Sequence, residues 1–308
     1  MQEQIQKRKV LKTVLFFLPS IVLLAVFFVG PVVMAIVYSL TNKALTGSAA
    51  LHTEFIGLKN FASFFQDPKF GAAFSNTMWF LLFSGLIGQM VIGFIVAYLM
   101  QHKGKLFRRV VGFIILVAWI TPEIVVAFMF TVVFEEKGVV NQIIGLFGMA
   151  PRAWLFTHPL ASVIVANAWR GVAYPMLMFQ AALDNVSSDV MESARIDGAS
   201  SWKTLTRITL PMIKDTTATV FILITLGTLN TFGLIYALTG GGPGTRSTTL
   251  SMLMYQRAFI SYQIGYGMAI ALALLVFGII LSALYITFNN RSERAAQHQL
   301  TEAGGKNG

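Results

Sequence analysis

Glu192-Ser193-Ala194-Arg195-Ile196-Asp197-Gly198 and, after nine intervening residues, Ile208-Thr209-Leu210-Pro211 form a polar segment held between two long apolar runs, Leu160 to Leu183 and Thr216 to Leu238. Ser187-Ser188-Asp189 supplies capping groups for a helix running through Glu192. Gly198 lets the chain turn sharply, and Ala199-Ser200 begins a second helix expected to end as Pro211 opens the next span. The product is a compact helix–turn–helix projection with Glu192, Arg195 and Asp197 near its turn, offering shape and charge to a partner surface. An ordinary amphipathic link between spans is the alternative, but it does not require these residue types at fixed spacing over 20 positions.

Outward from that segment the chain reads as an all-α integral membrane protein. Of 308 residues, 56% are hydrophobic and 12% charged, too little polar surface for one soluble core. Six apolar runs are long enough to span a hydrocarbon layer of about 30 Å at about 1.5 Å per helical residue. They cover approximately 15–38, 78–100, 110–134, 160–183, 216–238 and 265–288, with the 184–215 loop between the fourth and fifth. Lys7-Arg8-Lys9 and Lys12 precede the first run as they would in a signal peptide. That run is longer than a signal-peptide core and no clear A-x-A cleavage site follows, so it reads as an uncleaved anchor.

Charge sets the orientation. The N-terminus, the 101–109 link, the 184–215 loop and the tail hold 15 of the 23 Lys and Arg residues; the other three connections hold 7, and Arg170 lies inside a span. The positive-inside rule then puts both termini and the Glu192 loop in the cytoplasm. The inverted topology stays open on this evidence alone. The net charge of +10 is distributed at span ends instead of in one patch, which is how topology uses basic residues and not how a nucleic-acid surface does.

The pattern E-x-A, three residues, Gly, nine residues, I-x-L-P resembles the cytoplasmic loop of ABC-importer permeases. Asn230-Thr231-Phe232-Gly233-Leu234-Ile235-Tyr236-Ala237-Leu238-Thr239-Gly240-Gly241-Gly242-Pro243 is similar to the end of the fifth span in the carbohydrate, maltose-type branch of those permeases. The resemblance runs from about Leu15 to Phe288. It implies a transmembrane domain over 15–288, flanked by cytoplasmic segments 1–14 and 289–308. It also implies that Glu192, Ala194, Arg195, Asp197, Gly198, Ala199 and Pro211 couple the chain to an ATPase. Ser193 departs from the usual E-A-A. The implied partners are a second permease subunit, two ATPase subunits that bind ATP and Mg, an extracytoplasmic substrate-binding protein and membrane lipid. The large outer domain and extra leading helices of the maltose permease itself have no counterpart in this sequence.

Polar residues inside the spans point to a site. A charge near the bilayer centre costs about 2.5–3.5 kcal/mol on insertion scales, so Glu123 and Arg170 are expected to face a bundle interior or an aqueous cavity. They either pair with each other, tying the third span to the fourth, or one of them reads a substrate group. Asn167, Arg170, Gly171 and Tyr174 fall at i, i+3, i+4 and i+7, one helical face. Trp119 and Glu123, four apart, also share a side. Pro122 and Pro175 leave backbone acceptors without donors where these groups gather. A sugar presents C–H faces to aromatics and hydroxyls to amides, so Trp119 and Tyr174 suit stacking and Asn167 hydrogen bonding. By resemblance, the substrate path comprises Trp119, Glu123, Asn167, Arg170, Gly171, Tyr174, Thr228, Thr231 and Gly233. The charges on Glu123 and Arg170 depart from a plain neutral malto-oligosaccharide pocket and leave acidic sugars and polyol phosphates open. Each residue also has a plain packing role available to it.

Other chemistries lack their residues. No G-x-x-x-x-G-K-[ST] occurs and Gly240 to Gly244 follows a membrane span, so no nucleotide cofactor is expected on this chain. There is no cysteine, and His52, His102, His158 and His298 lack metal-ligand spacing, so no metal site is expected. A secondary transporter calls for more ionisable residues and repeated halves. An intramembrane enzyme calls for a nucleophile and base within the spans. Val139 to Phe147 suits a short interfacial helix with Asn141 and Gln142 on its polar side. Phe55 to Phe61 is expected to pack plainly or lie along the interface, and the loop opening at Thr239 is expected to be non-helical at its start.

Overall fold

The computed structural model describes residues 14–101 and 103–305, with side chains described through 287. Most of the N-terminal segment with its four basic residues, His102, and the side chains of the tail including His298 lie outside the described residues. The regular structure among the described residues is helical, apart from one isolated antiparallel bridge, Thr41 to Phe55.

Among the described residues, three helices are long and apolar enough to cross a membrane unaided: Val14–Ser39, Phe70–Met100 and Ile264–Thr287. The first matches the expected 15–38 span and buries almost nothing against its own chain, as suits a helix facing lipid or another subunit. The second starts at Phe70, ahead of the expected 78. The last continues as helix through Gly305, past the expected boundary at 288.

The remaining three expected spans are corrected. The 110–134 run is not one helix: Lys105–Ile120 and Glu123–Gly145 meet at 103°. The cause is local, since Pro122 has no N–H and pushes Thr121 into extended backbone at ψ 127°. The 160–183 run is two helices, Pro159–Gly171 and Ala173–Asp184, meeting at Val172. Pro175 cannot donate to the Gly171 carbonyl, and the irregularity falls there. The 216–238 run is Lys214–Asn230 and Gly233–Thr239, separated by Thr231 at ψ 115° and Phe232. By length and composition the described residues hold three continuous spans, or up to five if the bent pairs Lys105–Ile120 with Glu123–Gly145 and Ser201–Met212 with Lys214–Asn230 each count as one.

The chain divides into two compact units. In residues 68–253 with 274 onward, helix 70–100 runs close to two neighbours. A Cβ on Gly88 would stand 2.5 Å from Ala168 Cβ, and one on Gly85 would stand 2.8 Å from Thr228 Oγ1. Lipid is as apolar as a buried leucine, so membrane helices associate through such close approach and through hydrogen bonds. Residues 81–91 of this helix are π-helical, a departure that re-aims side chains and recurs at functional sites. Two apolar clusters complete the unit, one including Phe80, Val126, Val163 and Ile235, the other Met176, Phe179, Val220 and Ile224. Arg108 pairs with Asp184, joining helices 105–120 and 173–184.

Asn141 corrects the interfacial-helix reading. It lies in helix Val139–Gly145 but is buried, at 4% exposure. Its Nδ2 donates to the carbonyls of Glu135 (3.0 Å) and Arg152 (2.9 Å), and its Oδ1 accepts from Arg152 N (3.0 Å) and Trp154 Nε1 (2.9 Å). It organises residues 135–154 instead of facing water. The loop after Thr239 opens non-helically as expected, with Asn76 Nδ2 donating to the Thr245 and Thr248 carbonyls, and becomes helical at Leu250.

The other unit comprises residues up to 67 with 254–273. Asn60 Nδ2 donates to the carbonyls of Ser39 and Thr41, each at 2.8 Å. The Asp67 carboxylate, 2% exposed, pairs with Arg257 and accepts from the Tyr266 hydroxyl at 2.9 Å. Phe55 and Leu58 of the expected aromatic stretch remain exposed.

Candidate functional site

The projection at 184–215 forms as its capping residues dictate. Ser187 Oγ accepts from Asp189 N at 3.2 Å and opens helix Ser188–Ile196. Gly198 turns the chain at φ +70°, a left-handed conformation that a side chain disfavours. Ser200 Oγ accepts from Lys203 N at 3.4 Å and opens helix Ser201–Met212. Glu192, Arg195, Asp197 and Gly198 are exposed; Ala194 is buried and Ala199 half-buried. Pro211 corrects its expected place, lying in the last turn of the second helix. The step into Lys214–Asn230, a 72° bend, is made at Ile213. Sequence reasoning missed the two most accessible large apolar groups there, Ile196 (80% exposed) and Trp202 (72%). Their signal was available, since an apolar residue at the tip of a polar loop has no core to enter.

The substrate-path residues converge on a cavity of about 350 Å³. Trp119, Glu123, Asn167, Arg170, Gly171, Tyr174, Thr228 and Thr231 line it. Gly233 stands behind it, where a Cβ would lie 2.7 Å from Glu123 Oε2. Gln89, Leu223, Ile224 and Gly227 also line the cavity and escaped the sequence reading. An amide in the middle of the apolar 78–100 run was the signal for Gln89.

Two helix breaks supply the polar wall. Arg170 Nη1 meets Glu123 Oε1 at 3.3 Å, and its Nε donates at 3.2 Å to the Thr121 carbonyl, which the break at Pro122 leaves outside any helix. The expected pairing of Glu123 with Arg170 is therefore present, and the guanidinium also satisfies the broken backbone. Glu123 is the first residue of its helix, where the peptide dipoles favour negative charge. At the second break the Thr231 carbonyl accepts from Ser251 Oγ at 2.7 Å.

The rings of Trp119 and Tyr174 lie 6.1 Å apart at 33°. Asn167 is more constrained than expected: its Nδ2 donates to Ser84 Oγ, and its backbone carbonyl accepts from Gln89 Nε2 at 3.4 Å. Thr228 Oγ1 is buried with no hydrogen-bond partner among the described residues. The cavity thus offers an aromatic pair and an ion pair, with the amide of Gln89 in its wall.

Comparison with known proteins fits this arrangement. Residues 89–294 match the family described as binding-protein-dependent transport system inner membrane component. The chain is 30% identical over 280 residues to the sulfoquinovosyl glycerol transport system permease protein SmoG of Agrobacterium fabrum, covering 90% of this chain and 89% of that one. It is 33% identical over 289 residues to the multiple sugar-binding transport system permease protein MsmF of Streptococcus mutans serotype c, covering 90% and 95%. In structure it resembles a chain of a bacterial ABC transporter involved in the import of the acidic polysaccharide alginate, with TM-score 0.72, 23% identity and coverage of 96% and 98%.

The chain belongs to the family of binding-protein-dependent transport system inner membrane components. It is a membrane permease of the ABC-transporter kind, with the all-helical fold of that class.

Proposed function

We propose that the chain is one membrane subunit of an ATP-driven importer that receives a carbohydrate or related polyol from an extracytoplasmic binding protein and passes it to the cytoplasm. The observation that carries this reading is the cavity, where an aromatic pair, an ion pair and hydrogen-bonding groups meet at two breaks in apolar helices. Sugar-transport permeases among the relatives support the substrate class. Trp119 and Tyr174 would hold C–H faces, and Gln89 and the ion pair would read hydroxyls.

The proposed topology has six crossings of the cell membrane, with the bent and broken helices counted as crossings, and both termini cytoplasmic. Its transmembrane domain covers 15–288, between cytoplasmic segments 1–14 and 289–308. Positive-inside charge supports this orientation. The 184–215 projection docks on an ATPase subunit through Glu192, Ala194, Arg195, Asp197, Gly198, Ala199 and Pro211. Two such ATPases bind ATP and Mg, and a second permease subunit completes the pathway. Their closure moves the projection, and the spans alternate between outward-open and inward-open states. That coupling requires different loop contacts in the two states. The chain itself performs no bond chemistry and binds no nucleic acid. A second reading, a charged cargo such as an acidic sugar or glycerol phosphate, would have to take Arg170 of the cavity wall from Glu123.

The test is ATP hydrolysis by the complex assembled with its ATPase and binding protein, with native chain, Glu192→Ala and Gly198→Pro, across a sugar panel. Stimulation by one sugar, lost in both variants while assembly persists, supports the importer. Hydrolysis indifferent to both changes sinks the coupling assignment.

A further inference from the structure

We propose that Glu123 is an internal counter-anion that excludes acidic cargo, so that the substrate held between Trp119 and Tyr174 is an uncharged, hydroxylated molecule. The inference rests on the reading of the cavity as the cargo site and fixes the chemical class that site accepts.

Charge in the cavity is balanced before any ligand arrives. Among its lining residues only Arg170 carries a positive charge and only Glu123 a negative one, and they meet at 3.3 Å. Arg170 is further held by the Thr121 carbonyl at 3.2 Å. A carboxylate ligand binds arginine best through two parallel hydrogen bonds, and Glu123 already stands at that guanidinium.

The position of Glu123 is fixed from several sides. It begins helix Glu123–Phe134, whose free N-terminal amides favour an anion. Its Oε2 lies over Gly233, where even a methyl group would stand 2.7 Å away. The bare backbone of Gly233 therefore makes room for this carboxylate. Arg170 and Glu123 keep 26% and 34% of their side-chain surface exposed, so both face a ligand and are not sealed behind one. A second carboxylate entering the cavity meets one cation already paired and one like charge.

A neutral polyol meets the opposite situation. The exposed carboxylate accepts from sugar hydroxyls, and the two rings take apolar faces.

The experiment measures direct binding of radiolabelled probes to the detergent-solubilised permease–ATPase complex without binding protein, so that only the cavity selects. The probes are neutral disaccharides (maltose, trehalose, lactose and cellobiose) and the same sugars oxidised at C6 to uronic acids. The native complex is expected to hold a neutral member at least about tenfold more tightly than its uronate, a difference of about 1.4 kcal/mol. Glu123→Gln keeps the shape, frees Arg170 and should reverse that preference. Glu123→Gln with Arg170→Gln should bind neutral sugar without gaining the uronate. A native complex that holds uronates as tightly as neutral sugars, or a Glu123→Gln preference unchanged from native, overturns the inference and leaves the cavity as cargo site. Absence of binding by every probe in the assembled native complex overturns the cavity reading and this inference together. The native comparison decides the matter even if Glu123→Gln does not assemble.

Discussion

Gln89 fills the space that Gly171 leaves empty: a Cβ on Gly171 would stand 2.2 Å from Gln89 Cδ and 2.3 Å from its Oε1. The glycine is required by a close approach between helices, at a point where helix 70–100 is π-helical. The amide of Gln89 is thereby set in the cavity wall beside the Asn167 carbonyl.

Gly171→Ala should therefore displace Gln89. Overpacking of this kind costs about 1–3 kcal/mol, read as a lower melting temperature in detergent. Cargo-stimulated ATP hydrolysis should fall by about tenfold while unstimulated hydrolysis persists. Adding Gln89→Ala should restore the melting temperature without restoring stimulation. A Gly171→Ala protein with native melting and native stimulation would show that the two residues do not compete for that space.

The Arg170–Glu123 pair should behave as a coupled unit. Arg170→Met leaves a carboxylate and the Thr121 carbonyl without their partner, and each such loss costs about 1–3 kcal/mol. Arg170→Met with Glu123→Gln should be less destabilised than the sum of the single changes, with a coupling of about 0.5–3 kcal/mol in a double-mutant cycle. Additive melting shifts would mean the 3.3 Å contact contributes nothing.

Ile196 and Trp202 are the expected apolar anchors for the ATPase. Because both are exposed in the isolated chain, Trp202→Ala should leave its melting temperature unchanged. Truncating an interface anchor costs about 2 kcal/mol or more, so affinity for the ATPase subunit should drop by tenfold or more in titration calorimetry. Unchanged affinity in both Trp202→Ala and Ile196→Ala would place the docking surface elsewhere.

Asn141 makes four hydrogen bonds that hold residues 135–154 together. At about 1 kcal/mol each, with two backbone carbonyls losing a donor, Asn141→Ala should open that segment locally. Faster amide exchange confined to about 135–157, with ATP hydrolysis intact, is the expected result. Protection equal to native would show that the segment is held by apolar packing alone.

Much of this site was legible beforehand because its signals are local. Ser187, Gly198 and Ser200 announce caps and a turn through their own chemistry, and the turn forms there. Glu123 and Arg170 are conspicuous because a charge in an apolar run must find company. The breaks were partly legible: Pro122 and Pro175 carry the information, but apolar length dominates a reading by runs and joins segments that proline separates. Pro211 misled for the same reason, since proline is accommodated within a helix end and need not begin a span. Asn141 misled because helical periodicity puts it beside Gln142, while its partners at 152 and 154 come from beyond the helix.

The sequence by itself determined that this chain lives in a membrane, is built of helices and carries a capped projection between its fourth and fifth apolar runs. Each of those conclusions rests on composition or on residues a few positions apart, where solvation and backbone sterics act directly. Only the tertiary structure decided that Gln89 sits in the gap at Gly171, that Gly233 makes room for Glu123, and that Arg170 reaches the Thr121 carbonyl. Those contacts join residues about 50 to 110 positions apart, and their distances are set by how closely whole helices approach in the packed bundle.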